Sequence, residues 1–128
     1  MKGYIVNIEK ETVGNEDYRR ILYTAKNSQL VVMSLQPGEE IGEEVHELDQ
    51  FIRIEEGEGK AVLDGVEHVM EDDYAVVIPA GMKHNIINMG EGALKLYTIY
   101  SPPEHKDGVI EKTKGDEFEE HFDGKTTE

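Results

Sequence analysis

Along most of the chain, apolar and polar residues alternate in short bursts broken by turn residues, and a helical period is hardly sustained anywhere before the C-terminal tail. The pattern predicts strands over Lys2–Glu9, Arg20–Ala25, Leu30–Leu35, Glu43–Glu47, Gln50–Glu55, Lys60–Leu63, Val66–Met70, Ala75–Ile78, His84–Asn88 and Ala93–Tyr100. Asp64-Gly65, between Ala61-Val62-Leu63 and Val66, is a strong hairpin signal, and Pro37-Gly38, Gly57-Glu58-Gly59 and Gly90-Glu91-Gly92 punctuate the other runs. Glu16–Arg19 reads as one helical turn and Gly115–Phe122 as a short helix, with the chain fraying after about Lys125. The expectation is an all-β fold: one barrel over residues 1–110 that includes the N-terminal strand, and an acidic polar tail over 111–128.

A length of 128 residues suits a single hydrophobic core. There is no cysteine, which removes disulfides, cysteine nucleophiles and thiolate metal sites and suits a reducing, cytoplasmic setting. The net charge of −15, from 28 acidic against 13 basic residues, repels phosphate backbones and anionic lipid. Neither nucleic acid nor membrane is an expected partner. No apolar run approaches membrane-spanning length, and Gly57-Glu58-Gly59-Lys60 lacks the spacing and the Lys-Ser/Thr pair of a phosphate loop.

Chemistry concentrates in two stretches. Gly38 is followed after five residues by Glu44, then His46, then after three more Gln50, and after six more Gly57; downstream, Asp73 is followed after five by Pro79, then Gly81, His84 and Asn88. On strands, Glu44 and His46 leave one face, Gln50 shares a face with Ile52 and Ile54, and His84 shares one with Ile86 and Asn88. Polar groups heading apolar faces suggest a site inside a barrel. A buried Glu44 needs a partner or a proton, and a divalent cation is the plainest partner.

These spacings resemble the two cupin motifs, G-x5-H-x-H-x3-E-x6-G and G-x5-P-x-G-x2-H-x3-N, and the resemblance covers Leu30 to Tyr100. It implies a double-stranded β-helix, or jelly-roll barrel, with a divalent metal on Glu44, His46, Gln50 and His84. This chain departs from the motifs at Glu44 (usually His), Gln50 (usually Glu) and Asp73 (usually Gly). Asp at the last position tolerates left-handed geometry. The substitutions leave the formal charge of the ligand set unchanged and exchange a nitrogen for an oxygen. Among Mn, Fe, Ni and Zn, that favours Mn or Fe.

The expected pocket lining adds Ile52, Ile54, Ile86, Asn88, Tyr97, Tyr100 and His105 to the four ligands. His105 can reach the mouth only if the segment after the last strand folds back. His68 is expected to be packed or at the surface, His121 solvated, and Arg53 turned away from the site. Lys83 and Lys95 are the cations nearest the mouth in sequence, too few for a phosphate clamp. The resemblance implies a small-molecule ligand and a metal-dependent enzyme, dioxygenase-like or sugar-isomerase-like. The alternatives are a ligand-binding or sensing barrel and a metal-free barrel whose polar residues bond one another. It also implies a homodimer in which Lys2–Ile8 extends the partner's sheet.

Overall fold

The computed structural model describes Met1–Glu128. Its elements in chain order are α1 (Ile8–Gly14), β1 (Arg19–Thr24), β2 (Gln29–Leu35), β3 (Asp49–Glu56), β4 (Gly59–Leu63), β5 (Val66–Met70), β6 (Ala75–Ile78), β7 (His84–Asn88), β8 (Leu94–Ser101), β9 (Ile110–Glu111) and a 3₁₀ turn at Lys114–Asp116. Strands β6-β3-β8-β2-β1-β9 make a larger antiparallel sheet and β5-β4-β7 a smaller one. Inward residues of both, among them Val31, Met33, Ile52, Ile54, Ala61, Ile86 and Leu96, join one apolar core of 16 buried residues. The expected jelly-roll barrel is present, and no helix is long and apolar enough to cross a membrane.

Turn chemistry explains the reversals. Asp64 and Gly65 both have positive φ, 48° and 81°, as a tight primed hairpin requires, and Asp73 takes the left-handed conformation at φ 71°. At Gly57 φ is +110°, and an added Cβ would stand 2.9 Å from the Ala93 carbonyl oxygen and 3.2 Å from Leu94 Cα. Gly57→Ala is therefore expected to cost about 2 kcal/mol or more, read as a lowered urea midpoint. A midpoint equal to wild type would show that this hairpin yields freely.

Five sequence expectations are corrected. Lys2–Glu9 is not a strand: Met1–Asn7 has no regular structure, and Asn7 Oδ1 accepts from Lys10 N at 3.1 Å to cap α1. The alternation was real, but capping chemistry won locally, and β9 occupies the free edge of β1. Glu16–Arg19 is not helical, because the Asn15 side chain bonds Asp17 N and O in a local turn and β1 begins at Arg19.

Glu43–Glu47 forms only one isolated bridge, Glu44 to His84, and Gly42 at φ +109° separates it from the Glu40–Ile87 bridge before it. Gly115–Phe122 yields the 3₁₀ turn and then an extended segment, tied down by Phe118 N to Glu111, Lys106 N to Glu120 O and Phe122 N to Glu104 O. The terminus does not fray either. Thr127 exchanges hydrogen bonds with Thr24, and the Glu128 carboxylate accepts from Tyr23 and from the backbone of Lys2 and Gly3. Exchange of Lys2–Ile8 with a second copy would have to open this clasp and the Tyr4–Tyr23 stack.

Candidate functional site at the barrel mouth

Three local devices bring the motif residues together. The register of β3 on β8 sets Gln50 opposite Tyr100, and the pleat turns both inward with Ile52 and Ile54. Glu44 and His84 exchange both backbone hydrogen bonds at 2.9 Å, which puts their side chains on one face of the smaller sheet. Gly81, at φ +87°, donates its N–H to the His46 carbonyl at 2.8 Å and so ties the Pro79–Gly81 turn to the His46 loop.

The side chains meet as follows. The His46 and His84 rings lie 5.2 Å apart between centroids, and His46 meets Tyr100 edge-on at 6.1 Å. His84 Nδ1 is 3.0 Å from the Met82 carbonyl, so in the neutral ring Nδ1 carries the proton and Nε2 keeps the lone pair. Gln50 donates from Nε2 to Thr98 Oγ1 at 3.0 Å, and its Oε1 is buried with no partner. His46 Nε2 is 3.4 Å from Glu44 Oε2, and its Nδ1 is 3.7 Å from Glu104 Oε2. No group of three His, Asp or Glu side chains is gathered as a metal cage.

The expected lining divides. Ile52, Ile54 and Ile86 are core beneath the polar layer. Tyr100 and His105 belong to the site, their rings edge-on at 5.1 Å. His105 gets there because the segment after β8 is read by Gln29, whose amide donates to His105 O at 2.8 Å and accepts from His105 N at 3.0 Å. Asn88 does not serve the pocket: its Nδ2 donates to the Leu35 and Gly92 carbonyls and its Oδ1 accepts from Gly90 N, which fixes a turn. Tyr97 faces out beside Phe51, and Lys95 is buried on the Asn15 carbonyl, away from the mouth. His68 is exposed and Arg53 pairs with Glu55 and Asp73, as expected of both. His121, although exposed, holds Glu104 Oε1 at 3.1 Å.

Sequence reading missed the outer wall. A cleft of about 320 Å³ opens above the polar layer, lined among others by Arg19, Glu44, Glu104, His105 and Glu117. His46 lines an adjoining cleft that shares Glu44, Glu104 and His121, while Gln50 and His84 lie deeper and line neither. Arg19 shares strand parity with the buried Ile21, which was a usable signal. Glu104, Glu111 and Glu117 carried none, because tertiary contacts alone bring the tail here.

Burial sets the protonation. It lifts the Glu44 carboxyl above its usual range, against the pull of Arg19, and it lowers His46, against Glu104. His105 is pushed down to about 3 by burial and then by Arg19. Its imidazole is therefore neutral in the folded chain at pH values where the unfolded chain, near about 6.5, has protonated it. That contribution to stability is complete above the unfolded value and is lost as pH falls from there toward about 3. The slope reaches about 1.4 kcal/mol per pH unit. The lowered His46 acts in the same direction, while Glu44 opposes both, gaining stability as pH falls through its raised value. Urea midpoints of metal-free protein should therefore fall from pH 7 to pH 5. A flat profile would mean that His105 is solvated.

An antiparallel jelly-roll barrel with an imidazole pair and a buried amide below its mouth defines the class of protein. The chain belongs to the cupin family: the cupin domain matches residues 31–100. It is 44% identical over 122 residues to Uncharacterized protein YrkC of Bacillus subtilis, covering 90% of this chain and 66% of that protein. It is 46% identical over 113 residues to Uncharacterized protein L612 of Acanthamoeba polyphaga mimivirus, covering 84% and 71%. The crystal structure of BH2720 from Bacillus halodurans superposes with a TM-score of 0.88 at 44% identity, covering 90% of this chain and 92% of that one. The chain thus spans about two thirds of the length of the curated relatives it matches.

Proposed function

We propose that this cupin binds a small organic molecule at the barrel mouth, with a divalent cation held by His46, His84, Gln50 and Glu44. The observation that carries the reading is the Gln50 amide oxygen, buried at the head of β3 with no hydrogen-bond partner. A buried orphan acceptor costs about 1–3 kcal/mol unless something donates to it or coordinates it. The His84 Nε2 lone pair lies in the same layer and the His46 ring beside it. Two nitrogens and two oxygens suit Mn or Fe.

When bound, such a cation polarises a substrate oxygen, as oxygenase-like and isomerase-like reactions both need. The chain's own residues supply the rest. Tyr100 and His105 wall one side, and Glu104, held between His46 and His121, orients the His46 ring. A second reading, a metal-free barrel that binds its ligand through these polar groups alone, has one observation in its favour: no three His, Asp or Glu side chains converge as a cage.

Titration with Mn²⁺ at pH 7 separates the two. Wild type should bind one ion per chain. Gln50→Glu should bind it about tenfold or more tightly, since it sets a formal charge beside the ion while the Thr98 hydroxyl turns from acceptor to donor. Equal or weaker binding by Gln50→Glu would show that Gln50 does not touch the ion. No binding by wild type would leave the metal-free reading.

A further inference from the structure

Arg19 is the only Lys or Arg lining the mouth cleft, and its side chain is just 5% exposed. Its NH1 donates to Glu111 at 2.5 Å and to Glu117 Oε2 at 3.2 Å, while its Nε is buried without a partner. The Tyr18 hydroxyl donates to the same Glu117 oxygen at 3.2 Å, and Lys114 Nζ stands 3.5 Å from the other. Three donors thus converge on one carboxylate: Tyr18 and Arg19 from the barrel, and Lys114 from the 3₁₀ turn three residues before it, while Glu117 itself belongs to the extended run after that turn.

We infer that Arg19, Tyr18 and Lys114 form a carboxylate-binding subsite, in which Glu117 of the chain's own tail sits where the carboxylate of a small organic acid binds. This deepens the reading above by naming the ligand class. The charge balance favours it, because buried Glu111 neutralises one of the two cations and leaves the cradle short of one negative charge. A guanidinium and a phenol hydroxyl are the donors that a carboxylate takes best. The cleft, about 320 Å³, is large enough for a small acid.

The strongest objection is the acidity of the wall, where Glu43, Glu44, Glu104, Glu119 and Glu120 also face the cleft. Displacing the run after the 3₁₀ turn, with Lys114 left in place, answers much of it: Glu117, Glu119 and Glu120 leave together at the cost of the Phe118–Glu111 and Lys106–Glu120 hydrogen bonds, and the entering acid replaces the one that touched the cradle. The tail is then an internal competitor, and apparent affinity is reduced by the fraction of chains with the cradle free.

Propionate, with propionamide as its uncharged counterpart, tests the subsite by NMR titration of the full chain in chelator, so that the outcome does not depend on metal. Glu117→Gln should bind propionate about tenfold more tightly than wild type, as expected if the tail occupies the cradle in about nine chains of ten. Propionamide should not compete. Adding Lys114→Ala to Glu117→Gln should reverse most of the gain, because the ligand then loses a donor with no competitor left to lose it too. Equal propionate affinity in wild type and Glu117→Gln, or equal binding of the amide, overturns the proposal. Failure of the Mn²⁺ titration would leave this result standing, and the converse also holds.

Discussion

His84→Ala should lower Mn²⁺ affinity at pH 7 by about 100-fold or more while the β signal in far-UV circular dichroism persists. His84 is singled out by its fixed tautomer: the Met82 carbonyl takes the Nδ1 proton, so the remaining nitrogen is a lone-pair donor in a buried layer. His46→Ala should act in the same direction. His121→Ala should not, because that ring is exposed and its contact is with Glu104. The barrel survives either loss because its 16-residue apolar core lies beneath the polar layer. Wild-type affinity in His84→Ala would remove His84 from the ion, and collapse of the β signal would mean that the histidine holds the fold.

The largest loss of stability is expected from Glu111→Ala. Glu111 is 1% exposed, pairs with Arg19 at 2.5 Å and also accepts from Phe118 N at 3.0 Å. Removing it leaves a guanidinium buried with only the partly exposed Glu117 to answer it. A broken buried pair costs about 3–5 kcal/mol. Replacing both partners, Arg19→Met with Glu111→Leu, should recover much of that, since no buried charge remains. Urea denaturation of the two variants measures the difference. A loss under about 1 kcal/mol in Glu111→Ala would show that water reaches Arg19 and that the cradle is far wetter than its burial indicates.

Legibility in the sequence followed the range of the interactions. Period-two alternation located β3, β4 and β7, whose burial alternates in consecutive side chains, and short β-branched runs bounded by turn residues located β2, β5 and β6, which are buried on both faces or largely exposed. Asp64-Gly65 and Asp73 were readable because positive φ restricts residue choice at a single position. Errors arose where a local signal competed with another, as at Lys2–Glu9, where alternation met the Asn7 cap. They also arose where a position required partners far away in sequence. Asn88 carried the motif pattern of a pocket residue, yet two of its hydrogen bonds close the turn to Gly92 and the third ties that turn to Leu35, 53 residues away.

What the sequence determined by itself is the barrel, its hairpins and the inward parity of Gln50 and His84, since all of these depend on neighbours within a strand or turn. Tertiary structure alone decided the mouth. Nothing local to residues 104–121 says that His105 will be read by the Gln29 amide, that Glu111 will meet Arg19 across 92 residues of sequence, or that Glu117 will lie on Tyr18. An acidic tail has no apolar period to announce a docking face, and its order comes from ion pairs and hydrogen bonds to distant strands. Such contacts depend on where the barrel places those strands, so their signature lies in the fold and not in the segment.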